Sequence, residues 1–154
     1  MQTTKLTLLG AGKIGDAIFN LWAHTGDDGS TVADRDPERL QYVEKAGLPN
    51  TRIVQADLGN KNVVAELIQG HQVTLSACPY FLTPIIAGAA KAANSHYFDL
   101  TEDVESTRIV KQLAEGAACA FVPQCGLAPG FISIVDNAGG KRLETLRAVR
   151  IAVG

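Results

Sequence analysis

The run from Lys5 to Gly15, Lys-Leu-Thr-Leu-Leu-Gly-Ala-Gly-Lys-Ile-Gly, restricts the fold more than any other stretch of the 154 residues. Leu6, Leu8 and Leu9 read as a short buried strand, and Gly10, Gly12 and Gly15 follow in G-x-G-x-x-G spacing. Behind them Ile14, Ile18, Leu21 and Trp22 recur at helical spacing, which predicts a helix with those residues as its apolar face. Glycines set between a strand and a helix have a mechanism that a lone glycine-rich turn lacks. Gly10 allows the tight turn, Gly12 lets backbone approach a pyrophosphate, and Gly15 lets the helix lie close on the strand. Unpaired N–H groups at the helix start then face the anion, which the helix dipole favours. The whole segment Gly10, Ala11, Gly12, Lys13, Ile14 and Gly15 is therefore expected to bind a dinucleotide.

Asp34 strengthens that reading. It ends a second apolar strand, Thr31-Val32-Ala33, about 20 residues after the glycines, where a dinucleotide-binding βαβ unit places an acid on the adenosine ribose. The same carboxylate repels a 2′-phosphate by about 4 kcal/mol at about 4 Å and an effective dielectric near 20. Asp34 thus favours NAD as cofactor, with NADP the second candidate. Arg35 is the counter-signal: its guanidinium would clamp that phosphate, cover the adenine, or stand in solvent.

Further along, Asp36-Pro37-Glu38 has the form of a helix start, with Asp as N-cap and Pro at the first position, and Gly47 suits a C-terminal stop. Arg52–Gln55 reads as a third strand. Asp57 and Leu58 follow it, with Asp57 either near the adenine amine or capping the helix that starts about Lys61. Later strands are expected at Gln72–Ala77, His96–Leu100, Cys119–Val122 and Leu146–Val153, and helices at Val63–Ile68, Thr83–Ala93, Glu102–Glu115 (capped by Thr101) and Phe131–Ala138. Strands alternating with helices predict a parallel sheet covered on both faces. With the first motif they give an α/β, Rossmann-type doubly wound sheet in the order 3-2-1-4-5-6. Residues 1–138 form this domain in that reading, with a boundary at Gly139-Gly140.

Composition bounds the partners. Hydrophobic residues at 46%, charged residues at 19% and a net charge of −2 fit a globular protein with no basic footprint for nucleic acid. No apolar run is long enough to span a membrane, and the N-terminus enters the first strand directly, so a cytoplasmic location is expected. Cys78, Cys119 and Cys125 fit no zinc spacing and sit among apolar neighbours, which predicts packed, reduced thiols and no metal site.

Ligands of open α/β sheets bind beyond the carboxyl ends of the strands. His24, His71 and His96 all fall at the opposite end. The ligand rim instead carries Tyr80, either a hydrogen-bond donor to substrate or a ring packed on Phe81. It also carries Asp99 and Glu102, which would take a proton or bind an amine unless they only serve the helix start.

Three segments on this rim carry a family resemblance: Ala77-Cys-Pro-Tyr-Phe81, His96-Tyr-Phe-Asp-Leu-Thr-Glu-Asp103 and Cys125-Gly-Leu-Ala-Pro-Gly130. With the glycine loop they resemble the N-terminal half of the saccharopine dehydrogenase-like family, which includes saccharopine reductases and lysine 6-dehydrogenases. The resemblance implies a nicotinamide-dependent oxidoreductase acting on the C–N bond of an amino acid. It places Gly10, Gly12, Gly15 and Asp34 on the dinucleotide, Asp57 and Leu58 by the adenine, and Ala77, Cys78 and Pro79 by the nicotinamide ribose. Tyr80, Asp99, Thr101 and Glu102 would face the substrate cleft, with Asp99, Glu102 and Tyr80 the catalytic candidates. Ala128 stands where saccharopine reductases are expected to carry Asp, which inclines the resemblance to the lysine 6-dehydrogenase side. It also implies a second, substrate-binding domain that residues 139–154 would begin, so that this chain binds cofactor without turnover, and a homodimer as a candidate assembly of the longer protein. Tyr42, Tyr80 and Tyr97 lack a Lys four positions on, which excludes a short-chain dehydrogenase. A non-enzymatic NAD-sensing regulatory domain is the alternative, but it has no need of the three rim segments.

Overall fold

The computed structural model describes residues 4–23, 29–47, 49–126, 130, 131, 134, 137 and 138. Six strands are hydrogen-bonded in parallel: β1 (Leu6–Leu9), β2 (Ser30–Asp34), β3 (Thr51–Gln55), β4 (Val73–Ser76), β5 (His96–Asp99) and β6 (Phe121–Val122). Their order is β3-β2-β1-β4-β5-β6, the doubly wound arrangement expected from the sequence. Five helices connect them: α1 (Lys13–Ala23), α2 (Pro37–Lys45), α3 (Lys61–Ile68), α4 (Thr83–Ala92) and α5 (Val104–Ala114). A 3₁₀ turn over Tyr80–Leu82 leads into α4. The expected helix over Phe131–Ala138 lies mostly outside the described residues. His24, Ala128, the Leu146–Val153 strand and the boundary at Gly139-Gly140 lie wholly outside them.

The strand alternation divides the core in two. Leu8 and Val32 face one side of the sheet, where they meet Phe19 of α1 and Leu40 and Val43 of α2. Leu9 and Ala33 face the other side and pack with Val64, Leu67, Ile86, Ala90 and Val110 from α3, α4 and α5. A strand buried on both faces has no polar side to spare, which is why β1 reads as a nearly unbroken apolar run.

Two local details differ from the sequence reading. In α1 the buried residues are Gly15 and Phe19, while Ile14 and Leu21 are 60% and 75% exposed. Contact between Gly15 and the β1 turn sets the rotation of this helix, and it brings 15 and 19 to the sheet in place of 14 and 21. At α5 the N-cap is Asp103, whose carboxylate accepts the Ser106 N–H at 2.7 Å. Thr101 instead accepts the Asp103 N–H through its hydroxyl and shapes the turn before the helix. Asp36 caps α2 with Pro37 at its first position, as expected.

At the amino end of the sheet, His71 Nδ1 faces the Gln69 carbonyl at 3.2 Å and so acts as the donor. Its Nε2 then accepts from the Thr31 hydroxyl at 3.0 Å. Burial is the main cause that holds this imidazole below its ordinary pKa of 6.5. The unfolded chain binds the proton more readily than the native one. Stability is therefore full above pH 6.5 and falls as pH drops below it. Denaturant titrations at a series of pH values are expected to show that loss, and His71→Asn to flatten it.

Candidate functional site

The carboxyl ends of β1, β2 and β4 open onto a cleft of about 300 Å³. Gly10 forms its floor. Its φ of +98° is open to glycine at little cost, and a Cβ there would lie 2.8 Å from the Ala77 carbonyl oxygen. A Cβ on Gly15 would collide with the Gly10 carbonyl, so this glycine is what seats α1 against the turn. Gly12 is different. An added Cβ there meets only the Arg39 guanidinium, at 3.8 Å, and no backbone within 4 Å. The space in front of Gly12 lies at the start of α1, where helix N–H groups favour an anion. The three glycines thus divide into two that the fold requires and one that keeps room for a ligand.

Asp34 is 5% exposed at the end of β2. Its Oδ2 accepts the Ala11 N–H at 2.7 Å and its Oδ1 the Asp36 N–H at 2.9 Å. The carboxylate therefore ties the glycine loop to the β2–α2 turn as well as facing the cleft. Arg35, Asp57, Leu58 and Gly59 line the same end. The Asp57 side chain accepts the Gly59 N–H at 2.9 Å, while α3 is capped by Asn60, so the capping role considered for Asp57 is taken by its neighbour. Ala77, Cys78, Pro79, Phe81 and Leu82 form the other end. Burial pushes the Cys78 thiol up to about 12, so it stands neutral in the wall of the cleft. Phe81 of the Ala77–Phe81 segment also lines the cleft, as do Arg39, Gly59 and Leu82, which no motif in the sequence marks for it.

The remaining rim residues surround this cleft without lining it. Tyr80 is 57% exposed, and its ring packs edge-on against Phe81 with centroids 5.9 Å apart. Glu102 is exposed and Thr101 half-buried. Asp99 is 2% exposed, and its Oδ1 accepts the N–H groups of Thr101 and Gln124, each at 3.0 Å. Its backbone carbonyl accepts the Cys125 N–H at 2.8 Å. One residue thus pins both loops on this side of the rim. Cys125 is exposed, contrary to the packed thiol expected, with its Sγ 3.1 Å from the Val122 carbonyl. His71 and His96 stand at the amino ends of β4 and β5, away from the cleft. Among the described residues no three His, Cys, Asp or Glu side chains cluster to hold a metal, and no helix is long and apolar enough to cross a membrane.

Among the described residues, Tyr97 Oη and Asp99 Oδ2 are buried without a hydrogen-bond partner. Burial and the neighbouring Asp99 charge both push the Tyr97 phenol up. Asp99→Asn keeps one acceptor oxygen for the Thr101 and Gln124 amides and brings a donor next to the Tyr97 oxygen. Its thermal unfolding is expected to stay within about 1 kcal/mol of wild type. Asp99→Leu, which removes the acceptor, is expected to cost about 2–3 kcal/mol.

A parallel sheet in this order, a glycine turn with space before Gly12 and an acid at the end of β2 together define a Rossmann dinucleotide-binding domain. The family described as "Saccharopine dehydrogenase NADP binding domain" matches residues 6–121, and the chain belongs to that family. Its site residues fit a nicotinamide dinucleotide, NAD or NADP: the glycine loop would take the pyrophosphate and Asp34 the adenosine ribose. Among solved structures, apo saccharopine dehydrogenase (L-Glu forming) from Saccharomyces cerevisiae is similar in fold, with TM-score 0.79 and 17% identity over 90% of this chain. This chain spans 31% of that one's length. The WlbA dehydrogenase from Chromobacterium violaceum, in complex with NADH and UDP-GlcNAcA, matches with TM-score 0.66 and 18% identity over 92% of this chain and 41% of its own. Apo scyllo-inositol dehydrogenase from Lactobacillus casei gives 0.66 and 17% over 92% and 40%.

Proposed function

We propose that this chain is the cofactor-binding part of an oxidoreductase that acts on the C–N bond of an amino acid, of saccharopine or lysine dehydrogenase type. The observation that carries the reading is the open space before Gly12 in a loop whose other glycines the fold requires, in a chain of this family. When bound, the nicotinamide supplies a hydride acceptor or donor. The chain's own residues bind, orient and screen.

Amides at the start of α1 would hold the diphosphate, and Asp34, which lines the cleft at the end of β2, would hold the adenosine ribose. Asp57 and Leu58 would hold the adenine, while Ala77, Cys78 and Pro79 would line the place of the nicotinamide ribose. Cys78, neutral and largely buried, serves there as a wall and not as a nucleophile. Of the acids on the substrate side, Glu102 is the exposed carboxylate and takes the proton from the substrate amine. Asp99 positions the Thr101 and Gln124 loops that carry the rim, through the two amides its Oδ1 accepts. Tyr80 offers its hydroxyl to the substrate from the edge of the cleft.

The chain covers 31% of the length of the saccharopine dehydrogenase to which it is similar in fold. We therefore expect NAD or NADP binding by the 154-residue chain without amino-acid turnover. Assays with L-lysine, saccharopine and other amino acids, following reduced cofactor, test this. Amino-acid oxidation by this chain alone contradicts the division of labour. A longer form of the protein that reduces NAD or NADP with none of these amines, but with hydroxy acids, contradicts the substrate class.

A further inference from the structure

Strand β5 carries two buried polar side chains, Tyr97 and Asp99, on one face of the sheet. Parallel pairing with β4 sets Tyr97 beside Thr74 and Asp99 beside Ser76, and all four are at most 2% exposed. The polar side chains that the Tyr97 phenol faces are those of Asp99, Thr83 and Ser76. Among the described residues, its oxygen and Asp99 Oδ2 are the two buried side-chain oxygens without a hydrogen-bond partner. A phenol is a donor and a carboxylate oxygen only an acceptor, so each supplies what the other lacks. The other oxygen of Asp99 starts a chain of hydrogen bonds. Oδ1 accepts the Thr101 N–H at 3.0 Å, Thr101 Oγ1 accepts the Asp103 N–H at 3.2 Å, and Asp103 Oδ2 accepts the Ser106 N–H at 2.7 Å. The Ser106 hydroxyl then donates to the Tyr80 carbonyl at 3.2 Å. Glu102 thus stands between two links of this chain and Tyr80 at its end. The Gln124 N–H, also on Oδ1, ties the exit of β6 to the same carboxylate.

We propose that Tyr97 is a positioning residue for the substrate side of the site: its hydroxyl donates to Asp99 Oδ2, and the carboxylate so fixed sets the backbone at Glu102 and Tyr80 through Thr101, Asp103 and Ser106. A carboxylate held by amides on one oxygen alone still turns about its Cβ–Cγ bond. A donor on the second oxygen stops that rotation and fixes the direction in which Oδ1 meets the Thr101 and Gln124 amides. The Tyr97 ring packs on Phe121 of β6 with centroids 5.6 Å apart, so the hydroxyl is carried by a rigid part of the core. Tyr80 follows β4 and Glu102 follows β5, and this network holds the two at a constant separation. The inference rests on the substrate-side reading of Glu102 and Tyr80 given above and adds the buried residue that supports both.

Amide hydrogen exchange in the ¹⁵N-labelled chain tests it, with wild type, Tyr97→Phe and Ser106→Ala compared. Tyr97→Phe keeps the ring and removes only the hydroxyl. It is expected to speed exchange at Thr101 and Gln124 at least about tenfold, with smaller gains at Asp103 and Ser106. Gly10 and Ala77, whose N–H groups bond to the Ala33 and Leu9 carbonyls, should change less than about twofold. Ser106→Ala cuts the far link alone and is expected to shift the Tyr80 and Phe81 amides while Gln124 stays as in wild type. Unchanged exchange at Thr101 and Gln124 in Tyr97→Phe would overturn the inference, and so would an equal rise across the whole sheet, which is the mark of a packing residue. In a longer form that oxidises an amine, Tyr97→Phe is expected to lower kcat about tenfold and keep the cofactor Kd within about twofold. An unchanged kcat there would overturn the assignment to the substrate side. Titration of wild type and Tyr97→Phe with NAD separates this from the cofactor reading: both should show the same shifts in the glycine loop, and their absence from both would refute the dinucleotide site without touching the exchange result.

Discussion

Gly12→Val is expected to abolish dinucleotide binding and leave the fold intact. A Cβ at this position meets only the end of the half-exposed Arg39 side chain, at 3.8 Å and so in ordinary contact, and nothing in the core resists the change. The added isopropyl group instead fills the space through which a pyrophosphate must approach the α1 amides. Loss of that approach removes several charge-assisted N–H contacts at once, and affinity for NAD and NADP should fall at least about 100-fold, or about 2.7 kcal/mol. Thermal unfolding should move by no more than a few degrees. A variant that binds as wild type does would show that no phosphate passes Gly12.

Gly15→Ala is expected to do the reverse, acting first on the fold. Its Cβ would run into the Gly10 carbonyl, and Gly10 cannot yield, because its own Cβ side is closed by the Ala77 carbonyl. Helix α1 must lift from the sheet, taking Phe19 out of its fully buried place against Leu8 and Val32. Overpacking of this kind costs about 2–3 kcal/mol, which for a domain of this size lowers Tm by roughly 5–10 °C. Dinucleotide affinity falls as a consequence of the displaced α1 start. Differential scanning calorimetry on the two variants separates them: Gly12→Val keeps its Tm, Gly15→Ala does not.

Much of this site is legible in the amino-acid sequence, because its parts lie close along the chain and need particular residue types. Only glycine suits the turn at Gly10 and the contact at Gly15, and an acid closing an apolar run is conspicuous at Asp34. The strand order follows from the same motif together with the alternation of elements. What escapes a sequence reading is set by contacts distant along the chain or by choices between equivalent residues. Hydrophobicity misplaces the buried face of α1 because it gives weight to Ile14 and Leu21, whereas the helix is rotated by a glycine that carries no side chain. Thr101 and Asp103 both suit an N-cap, and only the path of the β5–α5 loop decides that Thr101 shapes the turn and Asp103 caps the helix. Arg39 looks like any solvated arginine among Glu38 and Gln41. Its place over the glycine loop depends on how α2 packs, through Leu40 and Val43, on the same face as α1.

The same division explains Asp99. An acid at the end of β5 reads as a proton acceptor on the ligand rim, yet the amides of Thr101 and Gln124, the second 25 residues away, converge on one of its oxygens. The carboxylate holds two loops in register, a contact that no local pattern announces.

Amide chemical-shift mapping tests the central claim most directly, with ¹⁵N-labelled protein titrated separately with NAD and NADP. Saturable shifts are predicted at Gly10, Ala11, Gly12, Lys13 and Ile14, with smaller ones at Asp34, Arg35 and Cys78 and none at His71 or His96. Unchanged amides throughout the glycine loop at millimolar cofactor, or shifts gathered at the histidine end of the sheet, would contradict it.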